Sequence, residues 1–502
     1  MKYAKYISIF FLVALIPLYS YVNFYQNDDW NRNSTIIRFL NFDFRLLDVT
    51  ATTFYTQGLM GVFWAAIFGV KKLPYLTLLV SVANFYLFWS ILKELKIFKD
   101  LTNFLLSTIF FFNIFHIYSS IGFMTENYLL FFCLLSILYF YKFQNNLNFK
   151  NLYFSNIFSI LAFYAKQNAL VVPAGLAIYF LINKKYQEFK IQLAFIFGTL
   201  LSYYLLFPRT TEMKDKDFNF NNLLNFNYDF SLIYGILIYL SFFSLPLIFN
   251  LIWQEIQTKN IKKILLITLI SVFIFFGGNY LYKPGLISWE EFPYFENTFE
   301  RTGFLPRTID GTKYQFKYNF DLYNYIDLIS KIAVSLFISI LILNFKKFND
   351  ALSYIVLVNF GLMLFVSIFF DRYILIFVPL IYLLISKFLK ETKLLQVSLS
   401  VFAVFTVYFS YLLSSDFIYT HNYIWSKSEE LVGTSKASTT EIYSTGAWNR
   451  NFKNSSIKYI FSYDSPKTNK DLIVSHNLIE TKEIDFKGNL FINPKIYLYE
   501  AK

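Results

Sequence analysis

Cysteine and histidine are scarce in this 502-residue chain, which has one cysteine and three histidines. The single cysteine, Cys133, excludes an intrachain disulfide and a cysteine metal cluster. The histidines, His116, His421 and His476, lie far apart in the sequence and lack the spacing of zinc ligands. A nucleotide-dependent site has no support either, because the chain contains no glycine-rich phosphate loop. The sequence therefore predicts neither a metal site nor a cofactor.

Charged residues are also few, at 16% of the chain, whereas 56% of the residues are hydrophobic. Apolar runs of about 17–25 residues recur along most of the chain, and runs of that length cross a bilayer core of roughly 30 Å. The composition therefore predicts a polytopic α-helical membrane protein surrounded by membrane lipid. The net charge of +12 is interpreted as lysine bias in cytoplasmic loops, so nucleic acid is not an expected partner.

The apolar runs predict about thirteen transmembrane helices. The predicted spans are residues 6–24, 74–92, 101–121, 127–141, 152–165, 168–183, 191–207, 231–252, 263–281, 326–345, 351–370, 373–386 and 394–413. The first run lacks the cleavage site of a short signal peptide and is interpreted as an uncleaved span. A further apolar stretch, 52–70, is ambiguous.

Lysine clusters decide between the two topologies that 52–70 allows. If the N-terminal lysines face the cytoplasm and 52–70 crosses the membrane, the lysine-rich segment 93–99 lies outside. If 52–70 lies along the outer surface, that segment and the other lysine clusters fall inside, as the positive-inside rule requires. We therefore predict a membrane-skirting or re-entrant segment at 52–70, within an outer loop at 25–73.

This topology predicts two domains, a transmembrane domain at 1–413 and a small soluble C-terminal domain at 414–502. The C-terminal domain is expected on the outer side, with an α+β or β fold. Its strand-like pieces are "IKYIFSY", "LIVSH" and "NLFINPKIYLY", which turn signals separate.

Ionisable residues at the predicted outer ends of the spans are the candidates for chemistry. Asp28 and Asp29 follow the first span, Glu126 opens the fourth, and Lys166 and Arg372 lie beside later apolar runs. An Asp, Lys or Arg at the centre of a membrane helix costs roughly 2.5–3.5 kcal/mol, and such residues usually face an interior or a pathway. The sequence thus places carboxylates and cations together on one face.

Each candidate also has a simpler interpretation. The acidic pair could be a hydrated loop start, and Glu126 could be a helix N-terminal acid favoured by the helix dipole. Lys166 could extend its ammonium to the membrane surface. Asp371 and Arg372 could neutralise each other.

Carboxylates and cations on one face suit the transfer of a group from a lipid-linked phosphate. A phosphate leaving group carries its own negative charge and needs cations, not necessarily a general acid. Arginine suits bidentate recognition of phosphate. The acceptor hydroxyl or amine needs a carboxylate base within hydrogen-bond reach.

The chain resembles the GT-C glycosyltransferases of the protein O-mannosyltransferase and aminoarabinose-transferase type. The shared features are a paired acid in the first outer loop, a skirting segment, an acid opening the fourth span, "DRYILIFVP" in a late span and a soluble outer C-terminal domain. Two details differ from the family pattern. The acidic pair is Asp-Asp where relatives usually have Asp-Glu, and "TTFYTQG" replaces a Pro-Pro sequence.

The resemblance implies an enzyme that transfers a sugar, with inversion, from a polyprenyl-phosphate donor to a lipid, glycan or protein acceptor. Its active site would face the periplasm or exterior from a bacterial inner membrane. The catalytic residues that the resemblance implies are Asp28 as general base, Asp29 as its support and Glu126 as a second acid. Those implied for the donor phosphate are Lys166, Arg372 and Tyr373.

Two other functions stay open. A transporter or flippase of a lipid-linked sugar is expected to carry polar residues at mid-membrane, on broken helices of inverted repeats. A structural scaffold would leave the outer charges free to vary. In the tail, "STGAWNR" (444–450) resembles a Trp-Asn element of some bacterial relatives, although an ordinary turn with a packed tryptophan explains it equally well.

Overall fold

The computed structural model describes residues 20, 22–26, 28–47, 50, 53–210, 226–284, 292–295, 297–300, 303–304, 309, 322–345, 348–366, 369–467, 474–484 and 495–502. Within these ranges the chain is mainly helical. Most of the predicted first span, 6–24, and much of the predicted outer loops 208–230 and 283–325 lie outside the described residues.

Seventeen α-helices occur in the described part of the chain. The first eight are α1 (Asp29–Leu40), α2 (Tyr55–Phe68), α3 (Leu73–Glu94), α4 (Asp100–Phe111), α5 (Ile114–Ile121), α6 (Glu126–Asn146), α7 (Phe149–Phe163) and α8 (Val171–Ile182). The other nine are α9 (Tyr186–Thr210), α10 (Phe226–Phe243), α11 (Leu245–Gln257), α12 (Ile261–Leu281), α13 (Leu322–Leu343), α14 (Ala351–Met363), α15 (Phe377–Ser386), α16 (Lys393–Gly433) and α17 (Gly446–Phe452).

Six of these helices are long and apolar enough to cross a bilayer, namely α3, α6, α9, α12, α13 and α16. The pairs α4–α5 and α10–α11 also have the necessary composition, but they bend by 58° and 81° at their breaks. The described part thus holds up to eight spans, and the thirteen predicted spans are not confirmed. Four of the predicted spans correspond to α7, α8, α14 and α15, which have only 10–15 residues, whereas a span needs about 20.

Helix α2 occupies the ambiguous apolar stretch. Its 14 residues extend about 21 Å, less than the bilayer core of roughly 30 Å. One face packs on α1, where a Cβ added at Gly58 would lie 2.7 Å from the ring of Phe39. Phe63 and Ile67 of α2 are exposed. The helix is thus too short to cross the bilayer core, and its position along the outer surface stays a prediction.

Small residues allow the helices of the bundle to approach one another closely. The hydroxyl oxygens of Ser136 in α6 and Ser159 in α7 are 2.8 Å apart. A Cβ added at Gly175 in α8 would lie 2.5 Å from the Cα of Ile355 in α14. Close backbone packing and interhelical hydrogen bonds matter here because burying apolar side chains in a bilayer provides little driving force for helix association.

Helix α16 links the bundle to the C-terminal part. The side chain of Thr392 caps its start by accepting the backbone N–H of Leu395 at 3.1 Å. Its 41 residues extend about 61 Å, twice the thickness of a bilayer core. The predicted domain boundary between 413 and 414 therefore falls inside one continuous helix, and the C-terminal sheet follows the end of that helix.

The C-terminal sheet has four strands, β3 (Ile442–Tyr443), β4 (Tyr459–Ser462), β5 (His476–Glu483) and β6 (Lys495–Ala501). Their order across the sheet is β3-β4-β6-β5. A separate two-stranded sheet pairs β1 (Phe299–Glu300) with β2 (Gly303–Phe304). The β3–β4 pair is parallel and α17 connects its strands, while β6 pairs antiparallel with both β4 and β5. This arrangement is the α+β alternative. The first and third predicted strand pieces overlap β4 and β6, whereas the second reaches β5 only at His476.

Candidate functional site

Four segments that are far apart in sequence meet at one point, where they form what we name the charge cluster. Its members are Asp28, Asp29 and Arg32 at the start of α1, Glu126 at the start of α6, Lys166 just after α7, and Arg372 in a 3-10 helix (Asp371–Ile376) before α15. The structure thus brings together all five charged residues that the sequence singled out. It adds Arg32, which the sequence reasoning missed.

Asp28 immediately precedes α1, and its side chain does not cap the helix. Oδ2 of Asp28 instead accepts a hydrogen bond from Nη2 of Arg372 at 3.2 Å, and it lies 3.6 Å from Nη2 of Arg32. The Asp28 side chain is 26% exposed, against 3% for each of the side chains of Asp29 and Glu126. Asp28 is therefore the one carboxylate of the charge cluster that a substrate can reach.

Asp29 is buried behind Asp28. Its Oδ2 accepts the backbone N–H of Gln26 at 3.1 Å, and its Oδ1 lies 3.4 Å from Nη1 of Arg32. Burial raises the pKa of Asp29 from 3.8 to about 6, and the positive charge of Arg32 opposes that shift. With both oxygens engaged inside the protein, Asp29 orders the start of α1 and shares Arg32 with Asp28.

Gly122, in the turn before α6, leaves room for the Asp29 carboxylate. A Cβ added at Gly122 would lie 2.1 Å from Oδ2 of Asp29. We expect Gly122→Ala to displace that carboxylate and to lower the free energy of unfolding by about 1–3 kcal/mol, as overpacking does. Thermal unfolding in detergent measures this effect.

Gly198→Ala in α9 is the matched control for this substitution. No described atom lies within 4 Å of the Cβ that it adds, and alanine is favoured over glycine inside a helix by about 1 kcal/mol. We expect this variant to be as stable as the wild type or slightly more stable. Equal behaviour of the two alanine variants would contradict the close approach at Gly122.

Glu126 holds two cations at once. Its Oε1 accepts hydrogen bonds from Nζ of Lys166 at 3.0 Å and from Nε of Arg372 at 3.1 Å. Glu126 is also the first residue of α6. Its carboxylate therefore lies at a helix N-terminus and forms ion pairs at the same time. The two ion pairs fix the start of α6 against Lys166 and against the 3-10 helix.

Asp371 does not neutralise its neighbour. Oδ2 of Asp371 accepts the backbone N–H groups of Thr298 (3.1 Å) and Phe299 (3.0 Å), and among the described residues no ion pair joins Asp371 to Arg372. Burial raises the pKa of Asp371 to about 6, and its hydrogen bonds from Thr298 and Phe299 oppose that shift. Asp371 therefore anchors the 3-10 helix and leaves the Arg372 guanidinium to the charge cluster.

Arg372 has one donor atom left over. Nε of Arg372 binds Glu126 and Nη2 binds Asp28, but Nη1 is buried and has no hydrogen-bond partner among the described residues. A buried donor without an acceptor costs about 1–3 kcal/mol. An additional acceptor at this point, such as an anionic oxygen of a substrate, would remove that cost.

Lys166 contacts both Glu126 and the aromatic ring of Tyr373. Nζ of Lys166 lies 3.7 Å from the centre of the Tyr373 ring, which is a cation–π contact. The Lys166 side chain is only 12% exposed. An ammonium held between a carboxylate and an aromatic ring is not a lysine that simply extends to the surface.

Arg450 on α17 is a second residue that the sequence reasoning missed. Its Nη1 lies 3.9 Å from Oδ1 of Asp28, and its side chain is 58% exposed. Arg32 could have been found from the sequence, because it follows Asp28 by four residues and therefore lies one helical turn away. Arg450 had no comparable signal. In the same segment Trp448 is buried and donates its indole N–H to the carbonyl of Thr439, so the tryptophan has a packing role.

Among the described residues, no group of three histidine, cysteine, aspartate or glutamate side chains is placed to hold a metal ion. No protein-family model, curated protein or solved structure matches this chain. Any function has to be inferred from the geometry of the charge cluster.

The raised pKa of Asp29 predicts a pH dependence of stability. Between pH 3.8 and 6 the folded protein keeps the Asp29 proton while the unfolded chain loses it, so stability falls as pH rises, by about 1.4 kcal/mol per unit for a single group. Above about pH 6 Asp29 is ionised in both the folded and the unfolded protein, so its contribution to stability no longer changes with pH. Between about pH 4 and 6, we expect the unfolding free energy of the wild type to fall by about 1.4 kcal/mol per pH unit relative to that of Asp29→Asn.

Thermal or denaturant unfolding in detergent at several pH values measures the difference between these two proteins. Asp371 titrates in both of them, so its contribution cancels. A constant difference between pH 4 and 7 would show that Asp29 has an ordinary pKa.

Proposed function

We propose that this protein is a membrane glycosyltransferase of the GT-C type. It moves a sugar, with inversion, from a polyprenyl-phosphate donor to an acceptor on the extracytoplasmic face of a bacterial inner membrane. The outer position of the C-terminal domain belongs to the same proposal. The observation that carries it is the placement of one exposed carboxylate, Asp28, against the buried cation Arg372.

Asp28 is the general base in this proposal. A base must reach the proton that it removes, and Asp28 is partly exposed whereas Asp29 is enclosed. Asp28 therefore takes the proton of the acceptor hydroxyl or amine as that group attacks the anomeric carbon of the sugar. The bond from the acceptor to the anomeric carbon forms, the bond from that carbon to the phosphate oxygen breaks, and the lipid phosphate leaves with the electron pair.

Cations stabilise the departing phosphate. The three carboxylates of the charge cluster are matched by Arg32, Lys166 and Arg372, and Arg450 adds a further positive charge beside Asp28. Nη1 of Arg372, which is buried and has no hydrogen-bond partner among the described residues, is suited to donate to a phosphate oxygen that enters the charge cluster. Such preorganised donors act where negative charge develops on the leaving group.

Glu126 supports this arrangement from behind. It is buried and its Oε1 binds both Lys166 and Arg372. This geometry favours a positioning role, in which Glu126 holds the two phosphate-binding cations, over direct contact with the acceptor or the sugar.

Mass spectrometry of membrane lipids and surface glycans from a deletion strain tests the proposal. We expect one sugar to disappear from a surface acceptor and its polyprenyl-phosphate form to accumulate, and wild-type protein to reverse both changes. An unchanged lipid and glycan profile would contradict the proposal. So would purified protein that moves a lipid-linked sugar between the leaflets of a vesicle without transferring it, because that result identifies a flippase.

A further inference from the structure

We infer that a cleft beside Asp28 binds a saccharide portion of the acceptor. This inference rests on the proposed function and names the chemical class of its acceptor. The cleft is distinct from the charge cluster and shares with it only the chain segments that border both.

The cleft has a volume of about 640 Å³ and lies between three parts of the chain. These are the segment 22–25 before α1, the C-terminal end of α16, and α17, with the 3-10 helix Val70–Lys72 at one side. Its volume falls in the range of about 300–1,000 Å³ of small-molecule sites, which often lie where two structural units meet. The cleft is thus large enough for more than one sugar ring.

Aromatic rings form one wall of the cleft. Tyr25 and Trp425 pack with their ring centres 5.3 Å apart, Trp425 and Trp448 with theirs 5.1 Å apart, and Phe452 lies against Trp448. Flat ring faces with a polar N–H or O–H at one edge combine a large apolar contact with hydrogen bonding. Trp425 and Trp448 are themselves buried, so the partly buried rings of Tyr25 and Phe452 are the ones that the C–H face of a pyranose ring can contact.

Polar side chains border the same space. Lys71 and Glu429 line the cleft and lie 3.9 Å apart. The amide of Asn451, also in the lining, makes no hydrogen bond within the part of the chain that the structure describes. Ammonium, carboxylate and amide groups donate and accept hydrogen bonds in the mixture that sugar hydroxyls need. A lipid chain would gain nothing from these groups.

Two connections join the cleft to the proposed base. Tyr25 precedes Asp28 by three residues. On α17, Asn451 lines the cleft while its neighbour Arg450 lies 3.9 Å from Asp28. A saccharide held against α17 and Tyr25 therefore contacts the two chain segments that also carry Arg450 and Asp28. The aromatic wall, the polar border and this adjacency together favour a glycan-bearing acceptor over an unglycosylated peptide.

Full-length protein in lipid nanodiscs, probed with an array of soluble oligosaccharides with hexose, hexosamine or pentose ends, tests the inference. We expect binding of at least one class, a loss of affinity of up to about tenfold in Asn451→Ala, as one hydrogen bond allows, and a larger loss in Asn451→Phe, which adds a bulky ring at this wall of the cleft. Ser455→Phe is the control for added bulk, because Ser455 is exposed and outside the cleft lining. This control should bind like the wild type.

Two further arms identify the source of the saccharide and separate this inference from the proposed function. The affinity for the same glycan is measured when it is attached to a lipid in the nanodisc and when it is soluble. Tighter binding of one form shows whether a lipid or a soluble molecule carries the saccharide. Absence of saccharide binding, binding unchanged in Asn451→Phe, or binding instead of serine- and threonine-containing peptides would overturn the inference. If Asn451→Phe loses binding while Asp28→Asn transfers sugar normally, the saccharide site stands and the assignment of the base fails.

Discussion

Asp28→Asn is expected to lower the rate of sugar transfer by about 10²- to 10⁴-fold, the contribution typical of a general base. Asparagine keeps the shape of the side chain but cannot accept the acceptor proton. Since Asp28 is partly exposed at the edge of the charge cluster, the variant should fold and still bind the donor. The measurement is transfer from a polyprenyl-phosphate sugar in membranes that contain equal amounts of wild-type and variant protein.

Asp43→Asn is the matched control for this substitution. Asp43 follows α1 in the same predicted loop and pairs at 2.8 Å with Arg45, and both side chains are far more exposed than the buried members of the charge cluster. Removing this charge should leave transfer unchanged. Asp28→Glu should restore part of the activity, because it keeps a carboxylate but moves it. Wild-type transfer by Asp28→Asn would remove Asp28 from the mechanism.

Arg372→Ala is expected to have the largest effect on stability, a loss of about 3–5 kcal/mol, because it takes one of two cations from the buried Glu126 carboxylate and also removes a partner of Asp28. Arg372 contacts Glu126 and Asp28 while its own side chain is 3% exposed. Arg372→Lys should also raise the KM for the donor, because one ammonium cannot reproduce a planar guanidinium that binds several acceptors at once. Thermal unfolding in detergent and the dependence of transfer on donor concentration measure the two effects.

Arg45→Ala is the control for the loss of an arginine from an ion pair. The Arg45 side chain is 62% exposed, and exposed ion pairs contribute little to stability. We expect this variant to unfold like the wild type and to keep its donor KM. If Arg372→Ala were equally harmless, the ion pairs of Arg372 would not hold the charge cluster together.

The membrane character of the protein follows from local sequence, while the number of spans does not. Long helices such as α6 and α16 appear as apolar runs, because the length that crosses a bilayer is a local property of the chain. A run of apolar residues says nothing about a bend inside it. The runs at 101–121 and 231–252 each form two helices that bend sharply at a break, which hydropathy alone does not reveal.

Five of the six members of the charge cluster, all but Arg32, could be named from the sequence, because an ionisable residue beside an apolar run is costly and stands out. Their partners could not. Arg372 joins Glu126 and Asp28 across 246 and 344 residues of chain, and Arg450 reaches Asp28 from the C-terminal part. Contacts over such separations depend on how the helices pack, which no local pattern encodes.

The order of residues is enough to show that apolar helices dominate the chain, that acids and cations stand at their ends, and that a small stranded region follows them. Helix packing is needed to show that Asp28 is partly exposed while Asp29 is enclosed, and that Asp371 binds backbone N–H groups instead of Arg372. The difference arises because hydropathy and charge belong to single residues. Burial and ion pairing belong to pairs of residues that the packing of the helices brings together.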